Sequence, residues 1–252
     1  MKNILLLLPL LFLPLAQAQG PDSYTDLLDY VQPAPDQGKT GTCLFVATTG
    51  AIELLMNKQQ DLRHPEVMGA NDFSEPFLIH APYNTPAGKS FFEAPAYKFN
   101  QGFTVSAKEW LFLAWIEGRR NMSAWDNQDY SKMSQVEVPK IETIKLFNME
   151  SRWATKVLNP THIQKIKDAL IKYESPILVN YNDNNYWHVI LIVGYDDKIE
   201  GDCYQTLPEM CNRSNGSFYV RDSFGITTEV RDYDWFLNKG NAAFVFKFAP
   251  EL

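Results

Sequence analysis

The stretch QGKTGTCLFVATTGAIELLMNK, residues 37–58, runs from a loop punctuated by Gly38 and Gly41 into a segment that contains no proline. Apolar residues at Leu44, Val46, Ala47, Ile52, Leu55 and Met56 predict a largely buried helix over 44–58. Cys43 then falls in the first turn of that helix. Unsatisfied N–H groups and the positive end of the helix dipole there favour thiolate over thiol, and they can also hold an oxyanion.

Working outward, Ser106 with Glu109 suggests a capping box that opens a second helix through Trp110, Leu113 and Ile116. Asn159-Pro160-Thr161 opens a third, with Ile163, Ile166, Leu170 and Tyr173 at helical spacing. The Pro/Gly/Asn/Phe-rich segment 80–103 reads mostly as loop. After Pro176 the texture changes to short β-branched and aromatic runs at 177–180, 187–195, 218–221 and 243–248, separated by Asn, Asp and Gly clusters. These predict antiparallel strands. Helices early and strands late imply an α+β fold of two packed lobes, since a parallel βαβ fold would alternate the two along the whole chain. The expectation is one domain over 19–252, with a helical lobe at about 37–158, a β-rich lobe at about 159–252 and a cleft between them that could carry a site.

Composition narrows the function. The chain has 252 residues, 45% of them hydrophobic and 21% charged, which is enough apolar mass for a sizeable core and too little charge for a disordered chain. A net charge of -7 and a pI near 5.2 leave no basic stripe for a phosphate backbone, so nucleic acid is excluded as an expected partner. No CxxC or HExxH pattern offers a metal site. His64, His80 and His162 lack ligand spacing and are expected at the surface, and no metal or organic cofactor is implied. Trp110, Phe112 and Trp115 read as core. The sequons at Asn121, Asn212 and Asn215 matter only in a host that glycosylates.

At the N-terminus, Lys2 precedes an apolar run broken by Pro9 and Pro14, and Ala16-Gln17-Ala18 has the small-x-small form of a signal-peptidase site. Residues 1–18 are therefore expected to be a secretory signal. The run is shorter than the roughly 20 residues that span a bilayer. The mature chain is expected to be secreted or periplasmic, free of the membrane and monomeric, in a compartment where disulfides persist.

Three cysteines make an odd count. Cys203 and Cys211 lie close together in a polar insertion, at a spacing that lets a disulfide close a short surface loop, and they are expected to pair. That leaves Cys43. A lone cysteine is more often a buried packing residue than a reactive one, but this one has partners elsewhere in the chain. His188 stands at the start of the apolar run WHVILIVGY, where a neutral imidazole could take the thiol proton and later return it to a leaving group. Asp222 ends the run FYVRD, where adjacent antiparallel strands could bring its carboxylate beside His188 and fix the imidazole's tautomer.

Together these residues resemble the papain-like cysteine peptidases over most of the mature chain. QGKTGTC followed by LFVATTGAIE is similar to that family's QGxCGSC segment and nucleophile helix. FSEPFL at 73–78 resembles its LSEQ-type helix start, NQGF at 100–103 its NGG segment, WHVILIVGYDD its histidine strand, and DSFG at 222–225 its NSWG. The separation of about 145 residues between Cys43 and His188 lies inside the roughly 130–150 residue interval of the family. The resemblance implies a papain-like α+β fold and a Cys43, His188, Asp222 triad of a bacterial-type variant with Asp as the third residue. It also implies an oxyanion hole from Gln37 and the Cys43 backbone, and Gly102 as a substrate contact. Trp187 is a second candidate substrate contact, and Phe224 stands where the family has a shielding Trp. The sequence departs from the family at Thr40, Leu44 and Gln101. The implied activity is peptide-bond hydrolysis through an acyl-enzyme, with a peptide or protein as substrate. The alternatives are amide acyl transfer of the transglutaminase kind and an inactive papain-like binding protein.

Overall fold

A computed structural model describes residues 20–38, 41–66, 69–80, 104–105, 135–149, 158–183, 186–199, 216–225 and 228–250. The signal-like segment 1–18, Gly102, the helix expected from Ser106, the sequon asparagines Asn121, Asn212 and Asn215, and Cys203 with Cys211 lie outside the described residues. Among the described residues no helix is long and apolar enough to cross a membrane.

The chain runs β1 (Ser23–Tyr24), a 3-10 turn (Leu28–Tyr30), α1 (Cys43–Gln59), α2 (Glu75–His80), β2 (Thr104–Val105), β3 (Gln135–Val136) and β4 (Ile141–Asn148). It continues through α3 (Pro160–Tyr173), β5 (Ile177–Asp183), β6 (Tyr186–Asp196), β7 (Ser217–Arg221), β8 (Glu229–Asp232), α4 (Tyr233–Lys239) and β9 (Gly240–Phe248). The expected α+β class is what the elements form. The main sheet has the order β4-β9-β5-β6-β7-β8, with β1 added on β6, and all its pairings are antiparallel. Ile177, Leu178 and Val179 are all fully buried, as are Leu191, Val193, Phe244, Val245 and Phe246. Consecutive buried residues alternate faces along a strand, so both faces of the sheet's centre are covered. Helices α1, α3 and α4 all pack on these strands.

The helix read at 44–58 is α1. It begins one residue earlier, at Cys43, and is buried nearly all round, from Leu44 to Asn57, as its unstriped apolar pattern requires. Two features differ from expectation. The sheet takes in β4, from a segment assigned above to the helical lobe: Ile141 pairs with Phe248 and Thr143 with Phe246. His162, expected at the surface, is buried. Its Nδ1 accepts from the backbone N–H of Asn159 at 3.1 Å, while Asn159 Oδ1 accepts from the backbone N–H of Thr161 at 3.1 Å. The imidazole thus supplies the N3 acceptor of a capping box, and its ring packs edge-on against Phe147 at 4.7 Å.

Candidate active site

Three elements converge on one point. The first turn of α1 carries Cys43, β6 carries His188, and the residue just past β7 is Asp222. Cys43 is 9% exposed, His188 0% and Asp222 2%. His188 Nε2 donates to Asp222 Oδ1 at 2.6 Å, and Cys43 is near enough to act electrostatically on the imidazole. Since Nε2 is committed to the carboxylate, Nδ1 is the ring nitrogen left to the sulfur. Asp222 Oδ1 also accepts from the Ser223 backbone N–H at 2.7 Å, while Oδ2 faces Arg231 Nη2 at 3.4 Å.

Burial alone would push the His188 imidazole down, but the hydrogen bond and negative charge of Asp222, with a further contribution from Cys43, outweigh it and raise its pKa to about 9. Burial pushes the Asp222 carboxyl up. The bond to His188 with its charge, the Ser223 N–H and the charge of Arg231 more than offset this and hold it below the usual carboxylate range. The stable arrangement is therefore an imidazolium against a carboxylate.

This pair carries a pH signature. A histidine that holds its proton to about pH 9 folded, against about 6.5 unfolded, binds more protons in the native state between those values. Its contribution to stability is full below about pH 6.5 and is lost as pH rises through 9. Urea unfolding of the wild type should thus weaken across that window, and Asp222→Asn should remove most of the slope. A slope that survives in the variant would assign it to other groups.

Gln37 is joined to the same place from the loop before α1. Its backbone N–H donates to the Ser223 carbonyl at 2.9 Å, and the Ser223 hydroxyl donates to Gln37 Oε1 at 2.5 Å. That second bond fixes which end of the amide is which, and it gives Nε2 the role of donor. Asp36 forms a β-bridge with Phe224, so the two loops are stitched together across the site. The Phe224 ring stacks on His188 at 5.2 Å with an interplanar angle of 17°, while remaining 43% exposed, so it covers one face of the imidazole. Tyr181 meets the ring edge-on at 5.3 Å. Trp187 is 49% exposed and pairs with Asn182 across β5 and β6.

Sequence reading missed Ser223, Tyr181, Arg231 and Arg221. Ser223 had a local signal, since it lies between Asp222 and Phe224, whereas the other three act across strands and had none. Arg221 is 3% exposed and leaves β7 in the direction of α1. Its Nε donates to the Gln32 carbonyl at 2.8 Å, Nη1 to Val46 at 3.3 Å, and Nη2 to Pro33 and to Glu53 Oε2, both at 3.4 Å. Glu53 Oε1 in turn accepts from the Phe73 backbone N–H at 2.9 Å. The residue beside Asp222 thereby ties β7 to α1. Gly50 makes room for it: a Cβ there would lie 2.0 Å from Arg221 Nη1. Among the described residues no group of His, Cys, Asp and Glu could hold a metal ion.

No protein-family model matches the chain, and no curated protein matches it. Solved structures do. A clostridial cysteine protease, Cwp84, after propeptide cleavage superposes with a TM-score of 0.54 at 14% identity, over 90% of this chain and 58% of that one. A digestive procathepsin L proteinase from the Tenebrio molitor larval midgut gives 0.53 at 16% identity, over 92% of this chain and 70% of that one. A stem bromelain precursor gives 0.55 at 11% identity, over 91% and 71%. At these identities the likeness carries the fold, and the fold is papain-like: mixed helix and antiparallel sheet in the arrangement of these proteases.

Proposed function

We propose that this chain is a cysteine peptidase working through a Cys43, His188, Asp222 triad, with the aspartate in the orienting role. The observation that carries the reading is the bond of 2.6 Å from His188 Nε2 to Asp222 Oδ1, on a fully buried imidazole that also feels Cys43 at the head of α1. Packing does not require a fully buried histidine to be held protonated between a carboxylate and a sulfur, whereas an acid-base partner for a thiolate needs this arrangement.

In this mechanism the Cys43 thiolate attacks the carbonyl carbon of a peptide bond. The carbonyl oxygen becomes an oxyanion, stabilised by the Cys43 backbone N–H at the helix end and by Gln37 Nε2. The His188 imidazolium gives its Nδ1 proton to the leaving amine as the C–N bond breaks, and a thioester remains on Cys43. The now neutral imidazole takes a proton from water, whose oxygen attacks the thioester. Collapse expels the Cys43 thiolate, releases the carboxylic acid product and leaves His188 protonated for the next cycle. Asp222 holds the ring in register throughout, and Phe224 keeps water from one face of it. Gly102 and Trp187 are proposed to contact the extended substrate. Segment 1–18 fits export to the periplasm or the exterior, where Cys203 and Cys211 would close their loop as a disulfide.

The test is the rate at which a small electrophile alkylates Cys43 as a function of pH, read by mass spectrometry. An ordinary thiol reacts appreciably only as pH approaches about 8.5, whereas a histidine-paired thiolate should already react below about pH 6. Acid-side labelling, followed by cleavage in a mixed peptide library, is the expected result. An ordinary thiol profile would overturn the reading and favour a binding scaffold.

A further inference from the structure

The carboxylate of Asp222 is buried, and its two oxygens have different surroundings. Oδ1 is taken by His188 Nε2 and the Ser223 N–H, and Oδ2 faces Arg231. Arg231 is 4% exposed and sits on β8, two strands away from β6. It is fixed from more than one direction. Its Nη2 donates to Glu229 Oε1 at 2.7 Å, and its guanidinium lies over the Trp235 ring, 4.9 Å from the centroid. Trp235 is itself placed by the cap of α4, where Asp232 Oδ1 accepts from its backbone N–H at 2.5 Å.

We propose that Arg231 is a positioning residue of this site, holding Asp222 by its second oxygen so that Asp222 meets His188 as a fixed carboxylate. The proposal rests on the triad reading above and extends it to β8. A carboxylate removed from water needs a compensating charge, and removing one partner of a buried pair leaves the other uncompensated. The charged groups that face Asp222 are His188 from β6 and Arg231 and Glu229 from β8, with Cys43 of α1 beyond the imidazole. In order the first four alternate in sign: Glu229, Arg231, Asp222, His188. Arg221, although adjacent in sequence, sends its guanidinium to Glu53.

The test is an NMR titration of the His188 ring, with its signals assigned from their loss in His188→Ala. Besides the step near pH 9, the ring should report an acid-side inflection as Asp222 takes up a proton. Arg231→Met should move that inflection up by about one pH unit or more, Arg231→Lys should largely restore it, and Arg231→Met should have no such effect in an Asp222→Asn background. Glu229→Gln, isosteric and at a side chain 26% exposed, removes the competing carboxylate and should move the inflection down, so the proposal stays testable if Arg231→Met does not fold. An inflection unmoved in Arg231→Met, or in Glu229→Gln should that variant alone fold, overturns the role of Arg231. A ring signal that Arg231→Met moves equally in the Asp222→Asn background overturns it as well. The titration reads the imidazole and its carboxylate, so an ordinary thiol profile at Cys43 would sink the peptidase reading and leave this result standing. A reactive Cys43 with an unmoved inflection does the reverse.

Discussion

In His188→Ala the acid-side alkylation of Cys43 is expected to vanish and peptide hydrolysis to fall by about 10³-fold, within the usual range for losing a positioned acid-base group. Both effects have one cause. The ring that keeps its proton to about pH 9 is the counter-charge of the sulfur, and without it the thiolate faces only the helix end. The variant also leaves Asp222 and Arg231 beside a cavity, so His188→Gln, which fills the space without titrating, belongs in the same experiment. Alkylation at pH 6 and kcat/KM on a peptide mixture give the readout. Labelling that stayed fast in both variants would place the activation of Cys43 in the helix end alone and remove His188 from the mechanism.

The second large effect is structural and lies one residue from the triad. Gly50→Ala puts a Cβ 2.0 Å from Nη1 and 2.5 Å from Cζ of Arg221. An arginine tip could ordinarily swing away, but this one is 3% exposed and bonded to Gln32, Pro33, Val46 and Glu53. If it moves, Glu53 becomes a buried carboxylate without its cation. Burial already pushes the Glu53 carboxyl well above its usual range, the negative charge of Glu75 adds to this, and Arg221 opposes it. Breaking such a pair costs about 3–5 kcal/mol, and chemical denaturation of Gly50→Ala should show a loss of that order. The clash also predicts strong non-additivity: in an Arg221→Met background the added methyl should cost much less. Equal penalties in both backgrounds would mean that the glycine is needed for some other reason.

Much of this site could be read from the sequence because its central residues have local signals. Cys43 is marked by the glycine-punctuated loop and the unstriped helix that follows it. His188 is marked by a polar residue opening an apolar strand, and Asp222 by the break that ends another. Periodicity also located α1, α3 and the centres of β5, β6, β7 and β9. What it could not locate depends on contacts between distant segments. β4 carries Glu142, Thr143 and Lys145 and gains its strand character from pairing with β9, so no apolar run announces it. Arg231 and Arg221 look like ordinary surface charges until cross-strand neighbours enclose them. His162 failed as an expected surface residue for a similar reason, since its partners are the cap of its own helix and Phe147 on β4. A residue type signals its chemistry, whereas burial by remote segments has no local code.

The place of β9 in the sheet bears on the order in which the protein can be assembled. β9 lies between β4 and β5, with Val245 opposite both Ile144 and Ile177. β5 in turn is the partner of β6, on which His188 stands. β9 is thus an interior strand. Until residues 240–248 have emerged, β4 has no partner, β5 has one open edge, and the platform beneath His188 is incomplete. Pairings of such long sequence separation form late and slowly. Helix α1 is made well before β9, so Cys43 precedes the completed platform on which His188 is seated. The topology itself thus sets a delay between making Cys43 and bringing His188 and Asp222 to it.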